Sequence, residues 1–177
     1  MPITFHPLGG DDLSLLHRWL SDPEIVKWWE GDDVSWAGVE RDYSPERAPD
    51  GVEHWIASLD NRPIGWISLG DVARWPEESA AWTALGADPR PAGIDYLIGE
   101  HSDRGRGLGT QMIEAFVRTV VFGPDSDWVQ VGADPFTVNT RSWGALAQAG
   151  FRRAGTYGSG SEECTLMLLD RADLGAR

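Results

Sequence analysis

The chain has 177 residues, with 28 Asp and Glu against 15 Lys and Arg, giving a formal net charge of −13. Phosphate backbones and anionic membranes both call for clustered basic residues, so nucleic-acid and membrane partners are not expected; an acidic chain attracts cations, polyamines among them. Ten tryptophans and a hydrophobic content of 41% point to a folded, soluble, single domain over 1–177 rather than a disordered acidic tail.

Ile3 to Leu8 reads as a first strand. Asp11 or Asp12 then caps a helix carrying Leu13, Leu16 and Leu20 at helical spacing, and Pro23 permits a new helical turn leading to Trp28-Trp29. The polar stretch from Glu30 to Gly51, with Gly31, Pro45 and Pro49, holds one short helix capped by Ser35, with Trp36, Val39 and Tyr43 on one side. His54 to Leu59, a turn at Asp60-Asn61, and Pro63 to Leu69 form a hairpin. Residues 71 to 92, with three prolines, two tryptophans and four acids, are expected to be a long loop, functional or mobile.

Gly93 to Ile98 is a strand, and Leu108 to Phe122 a helix with Leu108, Met112, Ala115, Phe116 and Val120 inward. Trp128 to Val131 is a strand, and Asn139 to Ala149 a helix ended by Gly150 in a left-handed cap. Phe151 to Tyr157 and Glu163 to Leu169 form a last hairpin around Gly158-Ser159-Gly160. Strands outnumber helices and cluster in hairpins, so the class is α+β or mixed α/β. The lone Cys164 excludes an intrachain disulfide and reads as an inert buried thiol; His54 and His101 lack ligand-spaced partners, so no metal is expected. There is no basic-then-apolar leader, and no apolar run approaches the ~20 residues that span a bilayer, so a cytoplasmic protein is expected.

The most informative stretch is Arg104-Gly105-Arg106-Gly107-Leu108-Gly109-Thr110, between a strand and an amphipathic helix. Glycines let the backbone turn its N–H groups toward one point, the helix start adds partial positive charge and two arginines add full charges: a diphosphate cradle. It is not a P-loop, which needs Gly-Lys before Ser or Thr, nor a G-x-G-x-x-G dinucleotide fingerprint.

The spacing Arg-x-x-Gly-x-Gly resembles the pyrophosphate loop of the GNAT acyl-CoA N-acyltransferases. Within that superfamily the chain is similar to the aminoglycoside 6'-N-acetyltransferases and to acyltransferases that modify a siderophore lysine. The matching words are Glu24-Ile25-Val26-Lys27-Trp28-Trp29, Pro63-Ile64-Gly65-Trp66, Gly93-Ile94-Asp95, Gly107-Leu108-Gly109-Thr110, Asp134-Pro135 with Asn139 and Arg141, and Ala149-Gly150-Phe151.

The resemblance implies a mixed, mostly antiparallel sheet flanked by helices, with splayed fourth and fifth strands that admit the pantetheine arm of acetyl-CoA. It implies that the backbone of Tyr96, Leu97 and Ile98 binds that arm and polarises the thioester carbonyl. Arg104, Gly105, Arg106, Gly107, Leu108, Gly109 and Thr110 would hold the pyrophosphate, and Asn139 would face the cofactor. The family's aspartates fall on Asp95, as base or amine binder, and on Asp134, as amine binder or alternative base. Trp28 and Trp29 coincide with a substrate-facing tryptophan pair, flanked by Glu30, Asp32 and Asp33; Trp82, in the acidic 71–88 stretch, is a further acceptor-site candidate, as is Trp75. One departure stands out: the family tyrosine thought to protonate the departing thiolate is Leu146 here.

The expected activity is acetyl-CoA-dependent N-acetylation of an aminoglycoside 6'-amine by direct attack in a ternary complex, because no activated Ser or Cys constellation is visible. The partner is then a cationic small-molecule amine, and the protein a monomer or weak homodimer. The competing readings are acylation of a lysine or hydroxylysine amine in siderophore assembly, and a module that binds drug or CoA without turnover.

Overall fold

In the computed structural model, which describes residues 2–29, 31–47 and 51–174, the Asp60-Asn61 pair makes the tight turn its residue types favour. Both residues adopt left-handed backbone angles, with φ of 52° and 62°. This turn joins two of eight strands: β1 (Ile3–Pro7), β2 (Val52–Leu59), β3 (Arg62–Asp71), β4 (Ala92–Gly93), β5 (Tyr96–Ile98), β6 (Gln130–Ala133), β7 (Arg152–Ser159) and β8 (Glu162–Asp170). The α-helices are α1 (Leu13–Leu20), α2 (Pro23–Val26), α3 (Trp36–Tyr43), α4 (Pro76–Ala84), α5 (Leu108–Phe116) and α6 (Thr140–Gln148). The class is mixed α/β and mostly antiparallel; β4 and β6 run parallel.

The chain divides into two compact units, Met1–Ser68 with Tyr96–Leu108, and Leu69–Asp95 with Gly109–Arg177. In the first, β1 pairs with β2 from Ile3↔Leu59 to Pro7↔Trp55, and β5 pairs with β3 from Gly65↔Ile98 to Ile67↔Tyr96. Its core joins Leu13, Leu16, Trp19 and Leu20 of α1 to Val39, Ile56, Trp66 and Leu97. Ser35 caps α3 as expected by accepting the Gly38 N–H, and Asp22 accepts the Glu24 N–H at the start of α2, whereas Asp12 makes no capping bond to α1 and accepts the Gly9 N–H instead. Gly99 is required by packing, since a Cβ there would lie 2.1 Å from the Trp19 indole.

In the second unit, β8 lies between β6 and β7. Its register with β6 runs from Gln130↔Asp170 to Ala133↔Met167, and β7 carries a bulge between Arg153 and Gly155. β4 pairs with β6 at Ala92↔Val131 and Gly93↔Gly132, and the Ile94 N–H donates to the Gly132 carbonyl as the last rung. From Tyr96 onward the chain pairs with β3 instead, so the strand expected over Gly93 to Ile98 is broken at Ile94-Asp95.

The expected loop over 71–92 is corrected by α4. Pro76 is not a breaker there but occupies the first turn, where its missing N–H costs nothing, with Glu77 and Glu78 beside it. The helix shows no apolar stripe because one side chain, Trp82, anchors it: its indole is 1% exposed and lies over glycines on two strands. A Cβ on Gly132 would meet Trp82 Cζ3 at 2.5 Å, and one on Gly93 would meet Cη2 at 3.8 Å. The helix expected over 108–122 widens to a π-helix at Val117–Val121, which turns Val117 and Val121 inward in place of Val120. The strand expected over 128–131 is shifted to Gln130–Ala133, and Gly150 takes its left-handed cap at φ 103°.

Two glycine substitutions should therefore act in opposite directions. Gly132→Ala drives a methyl into Trp82 and should lower unfolding stability in urea by about 1–3 kcal/mol. Gly144→Ala, in α6 with open space around it, should raise stability by about 0.5–1 kcal/mol. Equal small effects at both positions would contradict the packing described for Trp82.

Candidate active site

Asp134 follows β6 directly, and the chain beyond it stays alongside β8: the Thr165 N–H donates to the Pro135 carbonyl (2.9 Å) and the Thr137 N–H to the Glu163 carbonyl (2.7 Å). Phe136 bridges to Cys164 of β8, and Cys164 is in turn the register partner of Tyr157 on β7. This arrangement brings Tyr157 to Asp134. The Tyr157 hydroxyl donates to Asp134 Oδ2, and Trp82 Nε1–H, from α4, donates to the same oxygen at 3.2 Å and lies 3.2 Å from the Tyr157 oxygen.

The electrostatics of this cluster are one-sided. Burial holds the Asp134 carboxyl above the ordinary carboxylate range, although its donors Tyr157 and Trp82 pull it back. Burial first, then the charges of Asp134 and Asp95, push Glu78 up to about 8. Tyr157 is raised by burial and by Asp134, and Cys164 is pushed up to about 12 by burial, Asp134 and Glu78. The thiol is therefore protonated and inert as expected. Among the described residues, no Lys, Arg or His forms an ion pair with Asp134 or Glu78. Asp95 is exposed in the break between β4 and β5. The unit thus holds two desolvated acids, Asp134 and Glu78, with no cationic side chain paired to either among the described residues.

Trp82 contributes differently from the stacking surface expected of it. Its ring lies over Gly132 and is buried, so only its N–H edge serves the site. Trp75, before α4, is 41% exposed. Glu78 and Tyr157 were not singled out by the sequence. Glu78 was one acid among several in a stretch without periodicity, and Tyr157 was a hairpin residue whose value depends on the pairing with Cys164.

In the first unit, Trp29 packs edge-on to Trp66 (6.3 Å between ring centroids), while Trp28 is half-buried under the Lys27 ammonium, 5.0 Å from its ring. Asp32 is exposed, its N–H donating to the Trp29 carbonyl. Glu30 and Pro49 lie outside the described residues. His54 is half-buried, its ring against Tyr43 and Trp66, and desolvation lowers its pKa to about 4. It is a packing residue, and among the described residues no cluster of His, Cys, Asp and Glu is suited to a metal.

The glycine-rich turn has the backbone its composition requires: Gly105 and Gly107 have φ of 74° and 77°, and Leu108 opens α5. A Cβ at Gly105 would meet nothing within 4 Å, so the approach to the turn is open on that side. Arg106 is exposed, 3.9 Å from the buried Asp103, whereas Arg104 is turned inward. Its Nε donates to the Ile98 carbonyl (3.1 Å), and its Nη2 to the Gly99 carbonyl (2.5 Å) and Asp22 Oδ2 (2.7 Å). Arg104 therefore braces the turn, and Arg106 is the arginine whose charge faces solvent. Leu97 is buried, Tyr96 and Ile98 are half-buried, and Thr110 Oγ1 lies 3.5 Å from Gln148 Oε1. Asn139 caps α6 by accepting the Ser142 N–H. Leu146, at the place of the expected tyrosine, is fully buried in the core.

The family model "Acetyltransferase (GNAT) domain" matches residues 10–158, and the chain belongs to that family of acetyltransferases. The particular relatives are consistent with one another. The chain is 34% identical over 161 residues to aminoglycoside N(6')-acetyltransferase type 1 of Klebsiella pneumoniae, covering 87% of this chain and 76% of the relative, and equally to that of Serratia marcescens. A solved structure of AAC(6')-Ib with acetyl-CoA matches with a TM-score of 0.83 and 29% identity, covering 97% of this chain and 95% of that one. A structure of the same enzyme with coenzyme A and kanamycin matches with a TM-score of 0.80.

The raised Glu78 gives a signed stability prediction. Because its folded pKa lies above its ordinary 4.5, its stabilising contribution is complete below about pH 4.5 and is lost as pH rises through about 8. Glu78→Gln should thus melt with wild type at ~pH 4.5 and several degrees above it at ~pH 9. A melting-temperature difference independent of pH would contradict the desolvated position of Glu78.

Proposed function

We propose that this protein transfers the acetyl group of acetyl-CoA to the 6'-amino group of aminoglycosides. The observation that carries the reading is the set of acids around Asp134, two of them desolvated and without a cationic partner, which fits an acceptor bearing several ammonium groups. Family membership supplies the reaction, and relatives named for aminoglycoside acetylation support the substrate class.

In this reading Asp134 and Glu78 hold acceptor ammonium groups, and Asp95 takes the proton that the amine loses as its nitrogen attacks. The turn from Gly105 to Thr110 fits a diphosphate, since its left-handed glycines and the start of α5 present N–H groups with Arg106 nearby. Tyr96 to Ile98, which follow Asp95 in the chain, are assigned to the pantetheine arm, and Asn139 is assigned to cofactor binding; acetyl-CoA when bound supplies the thioester. The new C–N bond forms as the C–S bond breaks, and Asp95 passes its proton to solvent. With Leu146 buried in place of an acid, solvent protonates the leaving thiolate. A thiol of pKa ~8.5 makes that tolerable. In the first unit, Trp28, Trp29 and Asp32 are assigned to acceptor binding. We further infer a cytoplasmic, single-domain enzyme, monomeric or weakly dimeric, without nucleic-acid or membrane partners; among the described residues no helix is long and apolar enough to cross a membrane.

Mixing the protein with acetyl-CoA and kanamycin should release free thiol and give a mono-acetylated drug by mass spectrometry. Asp95→Asn should lower kcat/KM by at least ~10²-fold, the scale of a lost general base. No thiol release with any aminoglycoside would overturn the substrate, and near-normal turnover by Asp95→Asn would remove Asp95 from the mechanism.

A further inference from the structure

We propose that Tyr157 is a positioning residue for acceptor capture: with Trp82, it holds Oδ2 of Asp134 so that the negative charge of the empty site resides on Asp134 rather than on Glu78, and Oδ1 is presented to the acceptor ammonium. The proposal rests on the acceptor-site reading given above.

Three features of the second unit support it. First, Tyr157 O–H and Trp82 Nε1–H converge on one oxygen, a charge-assisted pair of hydrogen bonds that fixes the carboxylate plane. Second, the convergence is built into the fold on both sides. The Trp82 ring is locked over Gly132, and Tyr157 is set by its register with Cys164, which also bridges to Phe136, two residues beyond Asp134. Third, Glu78 lies one helical turn before Trp82 on α4, so the two side chains share a helix face. Trp82 spends its N–H on Asp134, and the charges of Asp134 and Asp95 both weigh against ionising Glu78.

The titratable and charged groups around Asp134 are accounted for by element: Glu78 on α4, Asp95 after β4, Tyr157 on β7, and Cys164 on β8, with Glu162 acting on Cys164. Burial weighs first against ionising Glu78, and repulsion from Asp134 and Asp95 adds to it; at Asp134 burial is opposed by Tyr157, Trp82 and the residue's own backbone N–H. An arriving polycation then meets one committed anion, and Glu78 ionises as a second ammonium docks. Tyr157 touches neither the amine nor the thioester in this scheme; it acts through Asp134.

The test is a double-mutant cycle in the full chain with Tyr157→Phe, Asp134→Asn and the pair, measuring kcat and KM for kanamycin across pH. Tyr157→Phe should raise KM about tenfold, the scale of a lost hydrogen bond to a charged group, with kcat changed less than about twofold. It should also move the acid limb of kcat/KM to higher pH. In the Asp134→Asn background the same change should leave KM unaltered. Additive losses in KM, or an acid limb that stays in place, would overturn the proposal. A second measurement is independent of turnover: carbon NMR titration of the Asp134 carboxyl should show a higher midpoint in Tyr157→Phe than in wild type. An unchanged midpoint overturns the positioning role. Failure of wild type to acetylate any aminoglycoside overturns the functional reading, while the NMR comparison still decides the role of Tyr157.

Discussion

Carboxyl groups withdrawn from water without a cation to balance them are the constraint around which the second unit is arranged. Burying an uncompensated carboxylate is expensive, and here the expense is met in two ways. Asp134 receives two hydrogen bonds on one oxygen, and Glu78 is pushed toward its neutral form. Neither device would persist in a unit selected only for stability, where an apolar residue of similar volume would serve as well or better. The arrangement is suited to a ligand that brings positive charge, and it gains stability when that ligand arrives.

The supporting architecture is made of small residues. Gly132 clears the floor on which the Trp82 indole rests, so that the buried ring directs its N–H at Asp134. Gly99 does the same in the first unit for Trp19, whose N–H reaches Glu100. The basic turn shows a comparable division of labour. Arg104 is consumed in holding the carbonyls of Ile98 and Gly99, whereas Arg106 keeps its charge at the surface.

Much of this was legible from residue order alone, because the signals are local. The Asp60-Asn61 hairpin, the Ser35 cap, the Gly150 terminus and the Arg104–Thr110 turn each depend on a few adjacent residues with strong conformational preferences. Asp95 and Asp134 were read as candidates from short words rather than from geometry. What stayed hidden is what depends on packing between distant segments. Helix α4 is held by one buried tryptophan and not by a repeating apolar face, so its periodicity was silent and its proline read as a breaker. Tyr157 becomes important only when β7 pairs with β8 and brings it to Asp134. Glu78 differs from the other acids of its stretch in desolvation and in the repulsion it feels from Asp134 and Asp95, properties of the folded unit.

The central claim, that these acids await the cations of the acceptor, is tested most directly by calorimetry of kanamycin binding near pH 7 in buffers of different ionisation enthalpy. Comparing wild type with Glu78→Gln cancels the drug's own proton uptake and isolates the contribution of Glu78. A pKa of about 8 leaves Glu78 mostly protonated at that pH, and docking of an ammonium beside it forces ionisation. Wild type should therefore release more protons to the buffer on binding than Glu78→Gln does. Identical proton release by the two proteins, with binding intact in both, would contradict the account.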